Sequence, residues 1–195
     1  IITISREFGS GGRTIAKEVA KKLGYAYYDK ELVKQISMET GFSEGFVEEN
    51  GEYASAKNWL AAAFSHLSFP GVMAGPSMDD FLWAMQRTVI LAEKGKCVIV
   101  GRCADFILKD RTDCFHVFIH ADPKARAERI VRRYGTSEQS PEKRLDDKDR
   151  RRRLYYKHYT EREWGMAQNY HLSLNSGEIG QERCVEMIVQ LAQAL

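Results

Sequence analysis

The stretch from residue 5 to residue 14, Ser-Arg-Glu-Phe-Gly-Ser-Gly-Gly-Arg-Thr, constrains this chain more than any other, because it sets four small residues between a strand and a helix. Ahead of it Ile1, Ile2 and Ile4 form a β-branched run suited to a buried parallel strand. Behind it Ile15, Val19 and Leu23 recur at helical spacing. At such a junction the backbone bends sharply and brings its amide donors against an anion, which side chains would obstruct. The helix that follows presents unpaired N–H groups and the positive end of its dipole. The stretch therefore reads as a phosphate-binding loop, with the Thr14 hydroxyl within reach of a Mg²⁺ ion.

The usual form of such a loop is Gly, four residues, Gly, Lys, then Ser or Thr. In the register ending at Gly12 and Thr14, Glu7 stands at the first glycine and Arg13 at the lysine. Arg13 can grip phosphate with a planar fork but is not a compact point charge. Glu7 beside a triphosphate is repulsive unless it pairs with Arg6 or Arg13 or helps to hold the metal. A glycine-rich turn that binds nothing is the competing reading.

The 195 residues are enough for one well-buried α/β domain and too few for two full ones. With 29 Lys plus Arg against 27 Asp plus Glu, net charge demands neither nucleic acid nor a membrane surface. No apolar stretch is long enough to span a bilayer and no secretory pattern opens the chain, so a cytoplasmic setting is expected. The chain starts at Ile, so an initiating Met is expected ahead of it. Cys97, Cys103, Cys114 and Cys184 lack metal-ligand spacing, and three of them lie in or beside apolar segments. They read as free thiols, with a disulfide the weaker alternative.

Lys21-Lys22-Leu23-Gly24 looks like a cationic helix end closed by glycine, and residues 25–28 read as a second strand ending at Asp29. In open parallel sheets that C-terminal edge is where ligands bind. Asp29 is equally suited to cap the helix beginning at Lys30. From about 31 to 95 the pattern is mainly helical, broken by the turn-rich segment 69–76, and reads as an insertion covering an acceptor. Residues 97–100 and 114–119 are further strands, a helix opens at Asp122-Pro123, and 171–174 is a plausible fifth strand. Cys184, Ile188, Leu191 and Leu195 form the inner stripe of a closing helix. Strands alternating with helices imply a three-layer α/β/α fold around a parallel sheet.

The densest charge run is Asp146-Asp147-Lys148-Asp149-Arg150-Arg151-Arg152-Arg153, followed by Tyr155, Tyr156, Tyr159 and Trp164. Cations among aromatics can hold RNA, but three acidic neighbours weaken that reading, and nucleic acid is not expected as a partner. Asp149 and Arg152 lie three apart on a helix and can pair, holding the guanidinium ready for an anion. Arg102, Arg129, Arg133 and Arg152 belong to segments expected to converge above one sheet edge. Such convergence suits phosphoryl transfer, in which the protein positions the reactants and compensates charge. An acceptor phosphate needs no general base; for a hydroxyl acceptor Asp29 or Asp105 is the candidate.

Residues 4–13, Tyr28-Asp29-Lys30-Glu31-Leu32 and Val98-Ile99-Val100-Gly101-Arg102-Cys103-Ala104-Asp105 carry a resemblance to a known family. Asp149-Arg150-Arg151-Arg152 with Tyr155-Tyr156 and Tyr159-Thr160, and Asn175-Ser176-Gly177, complete it. The chain resembles the cytidylate kinase-like family, a divergent branch of the P-loop nucleoside monophosphate kinases, over essentially its whole length. The resemblance implies an ATP- and Mg²⁺-dependent kinase with a five-stranded parallel sheet, a helical acceptor-binding insertion at about 31–95 and an Arg-rich lid at about 134–165. It implies that Gly9, Ser10, Gly11, Gly12, Arg13 and Thr14 hold the donor phosphates, and that Asp29, Arg102 and Asp105 face the acceptor, CMP or another nucleotide. Arg129 would lie over adenine, bordered by Asn175, Ser176 and Gly177. Arg133 and Arg152 would bracket the transferred group, with Asp149 steadying Arg152. Glu7, Arg13 and Lys30-Glu31-Leu32 depart from authentic cytidylate kinases. A nucleotide-binding regulator or sensor with little catalysis is therefore the alternative.

Overall fold

The computed structural model describes residues 1–29, 88 and 92–194. The helical insertion expected at 31–95 lies almost wholly outside the described residues. Five parallel strands form one sheet: β1 (Ile2–Arg6), β2 (Ala26–Tyr28), β3 (Cys97–Val100), β4 (Phe115–His120) and β5 (Leu172–Asn175). Their order is β2-β3-β1-β4-β5. The central strand β1 therefore pairs with β3 on one side and β4 on the other, and the chain leaves it in one direction and later returns to its opposite side. Its C-terminal end is the switch point at which open α/β sheets bind ligands.

One face of β1, Ile2 and Ile4, packs with Val98, Val117 and Ile119 against Ile15 and Val19 of α1 (Gly12–Leu23) and Cys184 and Ile188 of a C-terminal helix. Helix α1 closes at Gly24, whose φ of +67° is the left-handed geometry that lets its N–H reach the Lys21 carbonyl. On the other side of the sheet lie α2 (Ala104–Ile107) and α4 (Pro141–Thr160). Helix α3 (Pro123–Tyr134) starts as the sequence predicts: Asp122 accepts from the Lys124 N–H and Pro123 fills the first helical position. Ser140 and Pro141 repeat that device at α4. A short α5 (Ser176–Ile179) and α6 (Gln181–Ala194) complete the chain. The inner stripe of α6 is Cys184, Val185 and Ile188, continued by Ala192, whereas Leu191, expected on it, is 43% exposed, because at the pitch of an α-helix it falls to one side of that stripe. All four cysteines are buried thiols, with no disulfide among them.

The second face of β1 is polar and buried. Thr3 stands beside His116 in register on β4, with its hydroxyl 2.8 Å from His116 Nδ1, and the His116 N–H donates to His171 Nδ1 at 3.1 Å. Burial, reinforced by His171 stacked 4.8 Å away, pulls His116 down from 6.5 to about 4. A neutral imidazole in the fold and an ordinary one in the unfolded chain mean that the unfolded state binds the extra proton between these values. Stability is thus expected to be intact above about pH 6.5 and to fall as the pH drops towards 4. Urea midpoints across that range, compared with those of His116→Asn, check it: the variant should lose part of the slope.

Candidate active site

The glycine-rich loop leaves β1 at Arg6 and enters α1 at Gly12, with positive φ at Gly9 (+80°) and Gly11 (+83°). Its carbonyls are engaged by side chains and by the loop itself. Arg152 Nη1 donates to the Arg6 carbonyl at 3.0 Å and Arg126 Nη1 to that of Phe8 at 3.2 Å. The Ser10 N–H and hydroxyl both turn back to the Glu7 carbonyl. The Ser10 carbonyl accepts from Arg129 Nη1 at 2.7 Å and from the buried Ser176 hydroxyl at 2.5 Å. Four carbonyls are thereby engaged by donors from α3, α4, α5 or the loop itself. At the start of α1 the Gly12 N–H donates to the Ser10 hydroxyl at 3.4 Å, and the first turn carries the N–H groups that a helix cannot satisfy internally. A Cβ on Gly11 would lie 2.1 Å from Arg129 Nη1, and one on Gly12 2.5 Å from Arg6 Cβ, so neither position has room for a side chain.

Beneath the loop lies a cluster of buried charge. Asp149 accepts from the Phe8 N–H at 2.7 Å, from Arg152 Nη1 at 3.2 Å and from Arg126 Nη1 at 2.5 Å. All three side chains are less than 10% exposed. Glu7 accepts from the Ala121 N–H at 3.2 Å through Oε2, which lies 3.4 Å from Arg126 Nε. The cation that the structure sets beside Glu7 is thus Arg126, rather than Arg6 or Arg13.

At the other side of the loop the Arg13 guanidinium pairs with Asp29 at the end of β2, where the Tyr27 hydroxyl also donates at 3.3 Å. Burial, with Asp29 beside it, pushes Tyr27 up to about 12. At the end of β3 the backbone turns left-handed at Gly101, Arg102 and Cys103 in succession (φ +75°, +58° and +54°). Two consecutive non-glycine residues in that region carry steric strain of about 1–2 kcal/mol each. The turn carries Arg102, 8% exposed, off the C-terminal edge of the sheet. Asp105 is buried deeper than an acceptor would require. It accepts from the Ser5 hydroxyl at 3.1 Å and the Tyr156 hydroxyl at 2.6 Å, and burial raises its pKa against those two hydrogen bonds. It ties β1, α2 and α4 together.

Of the four arginines expected to converge, Arg129 and Arg152 reach the loop and Arg102 lies at the neighbouring strand end. Arg133 does not reach it: it is exposed and lies over the Tyr134 ring, 5.9 Å from its centroid. The end of α3 does meet the loop, but through the next residue: the Tyr134 ring stacks on Phe8 with centroids 6.0 Å apart, and the Arg133 guanidinium lies over that ring. The Asp149–Arg152 pair forms as the spacing predicts, but it faces the loop backbone. Arg150 and Arg153 make exposed pairs with Asp147 and Asp146, and Tyr156, Tyr159 and Trp164 pack in the core around Cys103 and Phe118. Sequence reasoning missed Arg126. The available signal was its place in the first turn of a helix that starts directly after β4. Asn175 caps α5 by accepting from the Gly177 N–H at 3.1 Å, and Gln181 sits beside Arg129 and Gly11. Thr14 lies in the first turn of α1.

A family model described as the cytidylate kinase-like family matches residues 1–178. The chain belongs to that family. It is 31% identical to a cytidylate kinase of Archaeoglobus fulgidus, over 98% of this chain and 94% of that protein. It is 26% identical to a cytidylate kinase of Pyrococcus horikoshii, over 80% and 69% respectively. Among solved structures, an uncharacterized protein from Eubacterium ventriosum superposes with a TM-score of 0.73 at 24% identity, covering 100% of this chain and 98% of that one. Shikimate kinase from Bacteroides thetaiotaomicron gives 0.57 at 16% identity, covering 98% and 97%. These structural likenesses establish that this cytidylate kinase-like chain has the P-loop kinase fold. Among the described residues no helix is long and apolar enough to cross a membrane.

Proposed function

We propose that this cytidylate kinase-like chain transfers the terminal phosphoryl group of Mg-ATP to a nucleoside monophosphate, with CMP the first acceptor to try. The observation that carries the reading is the loop's hydrogen bonding: its carbonyls are engaged by Arg152, Arg126, Arg129 and Ser176, and it runs directly into the first turn of α1, whose N–H groups and dipole favour phosphate oxygens. The donor set fits the group. Thr14, in the first turn of α1, would be the protein ligand that meets Mg²⁺ beside the phosphates. When bound, Mg-ATP supplies the transferable group and a cation that offsets its charge.

Gly9 to Thr14 would hold the donor phosphates, and Arg129, with Asn175 to Gly177, would border the base. Arg102 and Asp29, at the ends of neighbouring strands, would receive the acceptor. An acceptor phosphate is already anionic, so the chain needs no general base, and Asp105 acts as a positioning residue behind the loop. Arg152 with Asp149 would fix the loop backbone against α4 so that the transferred group meets a preorganised field. Incubation with Mg-ATP and a panel of nucleoside monophosphates and small hydroxyl metabolites is expected to give ADP only with an acceptor, fastest with CMP. Firm ATP binding without acceptor-dependent turnover would sink this reading.

One observation favours a second reading, a nucleotide-binding regulator: Arg13, at the position of the usual lysine, is paired with Asp29. If phosphoryl transfer appears only after Arg13→Lys and Glu7→Gly are introduced together, the native chain is a binder.

A further inference from the structure

Glu7 is the residue that most contradicts a phosphate site, and its surroundings show how the contradiction is resolved. One carboxylate oxygen is fixed by the Ala121 N–H at 3.2 Å, at the end of β4, and the same oxygen lies 3.4 Å from Arg126 Nε. That contact is an ion pair without hydrogen-bond geometry, for Arg126 Nε is buried with no hydrogen-bond partner. The other end of the guanidinium is committed, with Nη1 bonded to Asp149 at 2.5 Å and to the Phe8 carbonyl at 3.2 Å. Arg126 thus stands between two carboxylates and the loop backbone, and it is 8% exposed. A buried cation so placed loses little of its field to solvent screening.

We infer that Arg126 is the positioning residue of the phosphate loop: it cancels the charge of Glu7 and holds it against Ala121, away from donor phosphates, while its other end locks the Phe8 carbonyl. In this chain the loop tolerates a carboxylate at the first-glycine position because α3 supplies a dedicated counter-charge from its first turn. The inference rests on the nucleotide-binding reading above and adds a residue to it. A residue that merely stabilised the fold would affect nucleotide binding to the same extent whether or not position 7 carried a charge. A charge-cancelling residue would not.

The test is a double-mutant cycle on the full chain, read by calorimetric titration with Mg²⁺ and the non-hydrolysable ATP analogue AMP-PNP. Arg126→Gln is expected to weaken AMP-PNP binding by about tenfold or more in the native background, but by less than about threefold in the Glu7→Gln background, a coupling of the size seen for contacting charges. Arg126→Lys, which keeps the charge and gives up part of the fork, is expected to stay within about threefold of the native chain. Equal losses in both backgrounds, or a Lys variant as poor as the Gln variant, overturn the inference. If Arg126→Gln is too unstable to titrate, melting temperatures read the same cycle: the single variant should fall well below the double variant, and equal falls refute the coupling. A native chain that binds no AMP-PNP removes the nucleotide reading and this inference together, whereas native binding without coupling removes this inference alone.

Discussion

Asp149→Ala is expected to give the largest loss of stability of any single substitution in this protein. Its carboxylate is the shared acceptor for the Phe8 N–H, Arg126 and Arg152, all out of solvent. Removing it takes a shared counter-charge from two buried guanidinium groups and the acceptor from one loop amide. Breaking a buried ion pair by deleting one partner costs about 3–5 kcal/mol, because the remaining charge is left uncompensated. Chemical denaturation should show that loss as a lowered midpoint, with AMP-PNP affinity falling alongside as the loop loses its tie to α4. Asp149→Asn keeps the shape and one acceptor oxygen but not the charge, and should fall between native and Ala. An Ala variant within about 1 kcal/mol of native would mean that the cluster is not a unit.

Gly11→Ala is expected to abolish nucleotide binding while leaving most of the protein folded. Two separate costs arise at this position. The backbone is left-handed at φ +83°, and the new Cβ would lie 2.1 Å from Arg129 Nη1 and 3.0 Å from Gln181. Arg129 must then leave the Ser10 carbonyl, which keeps only the Ser176 hydroxyl as its side-chain donor, and the loop loses its tie to α3 at that point. Even 3 kcal/mol lost here amounts to roughly a 100-fold weaker complex. Gly24→Ala is the matched control, since Gly24 is also left-handed, at φ +67°, but has nothing within 4 Å of its Cβ position. It should show the backbone strain of about 1–2 kcal/mol in stability and no comparable change in AMP-PNP titration. Equal binding losses in the two variants would mean that crowding by Arg129 is irrelevant.

These two residues mark how far local pattern reaches. Gly11 was legible because a loop between a strand and a helix needs small residues whatever surrounds it. Asp149 was legible only as the partner of Arg152, three residues along one helix face. That both of them act on the backbone of Arg6 and Phe8, more than 140 positions away, depends on how α4 lies across the sheet. Asp105 shows the same limit: its place after β3 suggested an acceptor contact, yet Ser5 and Tyr156 enclose it. Arg133 and Arg126 sit on one helix, and only the docking of its first turn beside the loop decides which of them touches it.

The sequence alone determined the parallel α/β architecture, the glycine bend after β1 and the start of α3. All of these follow from residue periodicity, backbone geometry and capping within a few positions. Tertiary structure decided which cation answers Glu7, that Arg13 meets Asp29, and that the aromatic residues after the charge run are core. A charge in a folded chain is paired by whatever the packing of distant elements brings within a few ångströms, and sequence spacing does not encode that distance.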